Sequence, residues 1–319
     1  MIQVILHAMG ARTREAVLIS AAGVFAGVLA ATCSGAPPDR AKVVLLGTGT
    51  PIPDPVASGP AVAVVVNEQA YLFDAGPGVV RQAQAAAEKF RLAALDATNL
   101  TRLFITHLHS DHTLGYPDIM LTPWVIGRLP PLEVYGPMGT AAMTDRLKEA
   151  YAADIKIRSD GAEGLGRRPL EVRVHEISQP GEVYRDANVT VRALNVRHGS
   201  WPQAFGYAID AAGRSIVISG DTAPSEEITK ACRACDLLIH EVYSDDRFKI
   251  VFGRERGAYH STFHTSTTQL AEIAARAKPK LLVLYHQLYF GPREEVDLEK
   301  EIRRTYGGNV VNGRDLTMY

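Results

Sequence analysis

The chain is short of cysteine, of tryptophan and of any surplus of positive charge. Three cysteines in 319 residues make no disulfide framework. Cys232 and Cys235 form C-x-x-C within "EEITKACRACDLLIH", and with no second pair a four-cysteine zinc site is excluded. On a helix both thiols would lie on the apolar face, so packing is the expected role and redox chemistry the weaker alternative. Lys and Arg total 34 against 35 Asp and Glu, with no basic tail or cluster, so a broad electrostatic grip on nucleic acid is not expected. There are only two tryptophans. With Tyr289, Trp124 and Trp201 can wall a pocket for an aromatic group, but ordinary core or rim packing is the expected role of all three.

Long apolar runs are also scarce, with one exception near the start. Residues 16–33, "AVLISAAGVFAGVLAATC", carry no charge, follow Arg12 and Arg14, and lead into "SGAPPD". A basic flank, an apolar core and a small-residue zone are the layout of an export signal. The run falls short of the roughly 20 residues of a spanning helix, and its many Ala and Gly make a poor anchor. Residues 1–38 are therefore expected to be an export signal and short linker, with Met9 as an alternative start. Cys33 stands where a lipoprotein cysteine would, although Thr32 fits that pattern imperfectly. The expected location is the periplasm, free or lipid-anchored, rather than the cytoplasm.

From residue 39 to 319 the apolar fraction, 46% over the whole chain, supports one large core. "KVVLLGTGTP" reads as a strand ending in a Gly-rich turn, and "AVAVVV" and "AYLFDAGPG" as a hairpin-like pair. "VVRQAQAAAEKF" has helical periodicity, and "TRLFIT" is a short buried strand. "LEVYGP" and "GTAAMTDRLKEAY" read as strand and helix, and "KIRSDGAEGLGRRP" as a surface loop. The second half repeats the scheme: "EVRVHEI" and "VTVRALNVRH" alternate, "AFGYAID" and "RSIVISGDT" pair, "SEEITKACRACD" is helical, and "LLIHEVY" is buried. The helix "STTQLAEIAARAK" and the strand "PKLLVLYH" close the core. Two strand groups, each followed by helices, predict two sheets packed face to face with helices outside, an α/β four-layer αβ/βα sandwich in one domain.

Polar residues gather at the strand ends, above all in "HLHSDH", residues 107–112. In an extended segment, positions i and i+2 face one side, so His107 and His109 can present imidazoles to one ion. Asp111 and His112 follow as the chain turns into a helix and address a neighbouring position. Buried imidazole and carboxylate need partners, and a mixed N/O donor set suits zinc, with manganese or iron as alternatives.

"HLHSDH" is similar to the H-x-H-x-D-H signature of the metallo-β-lactamase superfamily. "FDAGPG", "NVRHG", "SGDT" and "LLVLYH" match its companions in order, over nearly the whole chain after the N-terminal segment. The resemblance implies a dinuclear hydrolase. His107, His109 and His198 would hold one metal ion, and Asp111, His112 and His286 the second, with Asp221 bridging. A hydroxide shared by the ions would attack an ester centre, and Asp111 counts among the catalytic groups as well as the ligands. Asp74 would orient a ligand histidine or the GTGT loop, or serve as a turn-former before Gly76.

"GTGTPIPDP", "LLIHEVY" and "HTSTTQLAEIAARAKPKLLVLYH" resemble the branch that holds tRNase Z and the zinc-dependent arylsulfatases. There Glu241 would orient a histidine that protonates the leaving oxygen. "YHSTFHTST" offers His260 and His264, and the spacing favours His264. His240 is expected to be a packed strand-end histidine. Arg197 and Arg128 can meet an anion, with surface salt bridges their expected fate. The export signal and near-neutral charge favour an arylsulfatase-like enzyme acting on small anionic sulfate or phosphate esters, without nucleic acid, as a homodimer. A tRNase Z-like phosphodiesterase or endoribonuclease, or a lactonase or β-lactamase, is the alternative.

Overall fold

The computed structural model describes residues 41–166, 170–253 and 258–319. The stretch expected to be an export signal, and Cys33, lie outside the described residues. Among those described, no helix is long and apolar enough to cross a membrane.

Fourteen described strands form two seven-stranded sheets. In chain order the first sheet takes β1 (Lys42–Gly47), β2 (Ala61–Val66), β3 (Gln69–Phe73), β4 (Arg102–Phe104), β5 (Leu132–Pro137) and β6 (Val172–Ile177). The second takes β7 (Gly181–Arg185), β8 (Val189–Asn195), β9 (Phe205–Ala211), β10 (Arg214–Ile218), β11 (Leu237–Tyr243), β12 (Leu282–Leu288) and β13 (Val310–Asn312). The last strand, β14 (Thr317–Met318), returns to the first sheet and pairs antiparallel with β1. This return was not expected from the sequence.

Alternation along the strands makes the layers. Val43 and Leu45 of β1 pack between the sheets with Val62, Tyr71, Phe104, Tyr207, Ile216 and Val283. Val44 and Leu46 point the other way, onto a helix face built from Val79, Val80, Ala83 and Ala86. On the far side, Val217, Leu238 and Leu284 pack under Ile228, Leu270 and Ala274. Strands covered on both faces read as continuous apolar runs, which is why "AVAVVV" is buried at all six positions. The αβ/βα sandwich is therefore the observed fold.

The helices are α1 (Val79–Phe90), α2 (Ser110–Thr113), α3 (Tyr116–Val125), α4 (Thr140–Ala150), α5 (Ala152–Asp160), α6 (Glu226–Ala231), α7 (Asp245–Phe252), α8 (Ala258–Phe263), α9 (Thr267–Ala277) and α10 (Leu298–Ile302). Two expectations are corrected. Residues 156–160, read as loop, form the end of α5, with Asp154–Arg158 and Lys156–Asp160 ion pairs one turn apart. The helix before the cysteines stops at Ala231, and Cys232 and Cys235 are joined in a buried disulfide rather than packed as thiols.

Candidate metal centre

The site residues leave the fold at the rim where the two sheets meet. Strand β4 ends at Phe104, and the chain then carries His107 and, in extended backbone, His109 before α2 begins at Ser110, inside the HLHSDH run. His198 lies between β8 and β9, Asp221 just beyond β10, and His286 within β12. At His286 the pairing of β11 with β12 slips by one residue, from Glu241↔Tyr285 to Val242↔Gln287. The extra residue is His286, with φ 44. A bulge of this kind re-aims a side chain out of the ladder, here into the centre.

The seven side chains named from the sequence converge. His107 Nε2 lies 2.9 Å and His198 Nε2 3.0 Å from His109 Nδ1, which makes a three-nitrogen group. Asp111, His112, Asp221 and His286 form an adjoining, wholly buried group. Its contacts are His286 Nε2 to Asp111 Oδ2 at 3.2 Å and to Asp221 Oδ2 at 3.4 Å, and His112 Nε2 to Asp221 Oδ1 at 3.4 Å. Asp221 Oδ2 also stands 3.9 Å from His198 Nε2, so this carboxylate faces both groups.

Three of the inward nitrogens are aimed by a hydrogen bond at the far side of the ring. His107 Nδ1 meets Thr106 Oγ1 at 3.0 Å, His112 Nδ1 meets Asp74 Oδ2 at 2.8 Å, and His198 Nδ1 meets the Phe263 carbonyl at 2.8 Å. Asp74 also accepts from Thr106 N and Oγ1, so it ties the start of the HLHSDH run to His112. Phe263 reaches His198 because its ring lies against Gly199, where a Cβ would sit 2.0 Å from it.

The donor set fits two divalent ions of the zinc type. His112 Nε2 and Asp221 Oδ1 are buried, face each other and have no hydrogen-bond partner, and a cation between them satisfies both. Burial lowers His107 well below the ordinary histidine value and brings His109 to about 4, which keeps both rings neutral, as metal ligation requires. Burial alone would lower His112 too, but Asp221 and Asp74 outweigh it and raise it well above the ordinary value. Two carboxylates thus favour positive charge at this spot.

Beside the centre, His264 Nδ1 lies 3.3 Å from Glu241 Oε2 and 3.9 Å from Asp221 Oδ2. Backbone N–H groups of Thr265 and Thr222 hold Glu241 Oε1 at 2.8 and 3.3 Å. His260 instead packs among the rings of Phe248, Phe252 and Phe290. His240 is buried, with Nδ1 on the Glu241 carbonyl at 2.7 Å, the packed residue expected.

Other expectations change. Arg128 is no surface cation: it is 1% exposed and donates to the carbonyls of Ile119 and Met120. Arg197 is exposed. Trp124 packs in the core, but Trp201 Nε1 stands 2.6 Å from His109 Nε2 and so belongs to the site. Thr106, the Phe263 carbonyl and Asp315 were missed. Asp315 accepts from Thr48 N, Thr48 Oγ1 and Ser58 N, and it holds the GTGT loop in the place considered for Asp74. Thr106 directly precedes the histidine run and was within reach of inference. A carbonyl and a residue near the C-terminus leave no local signal.

Fold and donor set together define a metal-dependent hydrolase acting on ester bonds, and the chain belongs to the metallo-β-lactamase superfamily. The sequence profile of the beta-lactamase superfamily domain matches residues 69–287. Among curated proteins it is similar to Ribonuclease Z of Mycobacterium bovis (strain BCG / Pasteur 1173P2), 31% identical over 279 residues, 86% of this chain and 96% of that one. Ribonuclease Z of Mycolicibacterium gilvum (strain PYR-GCK) is 32% identical over 86% of this chain and 94% of its own. Similar solved structures include the metallo-beta-lactamase fold protein YhfI from Bacillus subtilis, with TM-score 0.67 and 18% identity, covering 88% of this chain and 100% of that one. Human tRNase Z, short form, has TM-score 0.63 and 24% identity, covering 87% and 98%.

These relatives overturn two expectations. They are ribonucleases by name and not arylsulfatases, and a small-molecule substrate without nucleic acid no longer stands. The expectation had rested on the export signal and on the near-neutral formal charge of −1. Net charge describes the whole surface, whereas bound divalent ions are the largest local charges in such a centre and a count of side chains omits them.

Proposed function

We propose that this chain is a phosphodiesterase of the ribonuclease Z kind, cutting a phosphodiester bond in RNA, with tRNA precursors as the substrate class. The reading is carried by one observation: two adjoining donor groups face a shared Asp221, with the Glu241–His264 pair alongside. Similarity to proteins named Ribonuclease Z along almost their full length supports it.

His107, His109 and His198 would hold one ion, and Asp111, His112 and His286 the other, with Asp221 between them. When bound, the ions supply Lewis acidity and positive charge at the phosphoryl group. Asp111 lies where a carboxylate can take the proton of an attacking water. Glu241 and His264 serve the leaving oxygen. Burial raises Glu241 well above the usual carboxyl range and lowers His264 to about 4, so the pair holds one proton between them. That proton passes from the carboxyl to Nδ1 as the ring's other nitrogen gives one up to the departing alkoxide.

The test is cleavage by the zinc-loaded full chain of a tRNA precursor and of p-nitrophenyl sulfate. Cutting the precursor, with His264→Ala slowing RNA far more than an ester with a p-nitrophenolate leaving group, is the expected result. Turnover of the aryl sulfate without cleavage of any RNA would overturn the reading.

A further inference from the structure

A phosphodiester has two substituents, and two cavities share the loop of residues 50–57 beside the centre. One, of about 500 Å3, is lined by Asp111, Ser110 and Leu114 and by the loop that includes Ile52 and Pro53. The other, of about 300 Å3, is lined by residues of the same loop, Asp54 among them, and by Gln287, Tyr289 and Arg293. The two cavities therefore share one loop wall, and the first reaches the centre at Asp111.

Their walls differ. The first is mainly Pro, Ile and Leu around the site carboxylate. The second carries a guanidinium fixed from four directions. Arg293 Nε donates to Tyr289 Oη at 3.2 Å and Nη2 to Gln287 Oε1 at 3.1 Å. Nη1 lies 3.2 Å from Asp54 Oδ2, and the guanidinium stands 5.1 Å from the centroid of the Tyr289 ring. Asn312 Nδ2 donates to the same Tyr289 oxygen at 3.1 Å, so the platform is itself held. The next residue, Phe290, has a left-handed backbone with φ 52, strain of the kind that surrounding structure must impose on a non-glycine residue. A guanidinium has five N–H donors, of which these contacts use three.

We infer that this cavity binds one of the two nucleobases flanking the scissile phosphate, with the Arg293–Asp54 pair reading its edge and Tyr289 supporting the guanidinium. A base edge offers donors and acceptors in one plane, and the pair presents both kinds in a fixed orientation. The two charges oppose each other, which makes the wall a poor seat for a second phosphate. This assignment rests on the nuclease reading above and narrows it to one subsite.

The test uses the zinc-loaded full chain and the 3′- and 5′-(p-nitrophenyl phosphate) esters of thymidine, with methyl p-nitrophenyl phosphate as the substrate lacking a base. In one of the two orientations the base should raise kcat/KM about tenfold, the scale of a single recognised base. Arg293→Ala should abolish most of that gain. Arg293→Lys, which keeps the charge and the stem but not the planar fork, should abolish it too, and it serves if the alanine variant does not fold. No gain in either orientation, or a gain that survives both substitutions, would overturn the inference. A base-dependent gain lost in the variants, in an enzyme that cuts no RNA, would leave the subsite standing and remove the nuclease reading.

Discussion

Asp74 and His286 are candidate site residues whose backbones lie in the left-handed region, at φ 63 and 44. Such strain persists only where surrounding structure over-determines it. At Asp74 the return is visible, since the carboxylate takes Thr106 N, Thr106 Oγ1 and His112 Nδ1 together. From sequence this residue read equally as a turn-former and as a partner of a ligand, and its carboxylate lies 2.8 Å from His112 Nδ1. Asn tolerates the same backbone, so Asp74→Asn separates the two roles. An amide puts N–H groups where Asp74 now only accepts. The His112 group should then lose about 10- to 100-fold in zinc affinity, read by competition with a chromophoric chelator, while the fold survives. Retention of full affinity would leave Asp74 a turn residue only.

At the scale of elements, the motifs were legible because each sits where periodicity breaks. A strand pattern ends and a histidine or aspartate follows, at 107, 198, 221 and 286. The bulge at His286 and the crossing of β14 to the first sheet were not legible, because both depend on partners far away in sequence. So does the anchoring of the loop that carries His264. Glu301, on α10, is buried and accepts from Ser244 Oγ at 2.6 Å, Thr267 Oγ1 at 2.6 Å and Asp245 N at 3.0 Å. It joins the end of β11 to the start of α9, the two elements that bracket the Glu241–His264 pair, and α9 is further fixed by the Ser266–Gln269 capping box. Glu301→Ala strands several buried donors at once. It should lower unfolding free energy by about 2–4 kcal/mol in a denaturant titration. RNA cleavage should fall more than zinc binding, because the ligands hang from other elements. Equal loss of both would make Glu301 a general prop of the core.

For the whole molecule, the architecture followed from strand grouping, but the substrate did not, because net charge averages over a surface on which one rim does the chemistry. That rim joins the two sheets: His107, His109, Asp111 and His112 extend from the first, whereas His198, Asp221 and His286 belong to the second. Ions held there would cross-link the layers as well as serve catalysis, and metal binding to the folded state alone stabilises it by mass action. At free zinc 100-fold above the dissociation constant, each site adds about 2.7 kcal/mol. In a domain of this size each kcal/mol moves the melting temperature by about 2–4 °C. Removing zinc from both sites with a chelator should therefore lower Tm by about 10–20 °C, and restoring zinc should recover it. Asp221→Asn weakens the one carboxylate that faces both groups, so that variant should recover only part of the shift. A Tm that ignores chelation in the wild-type chain would mean that the seven side chains meet without holding metal.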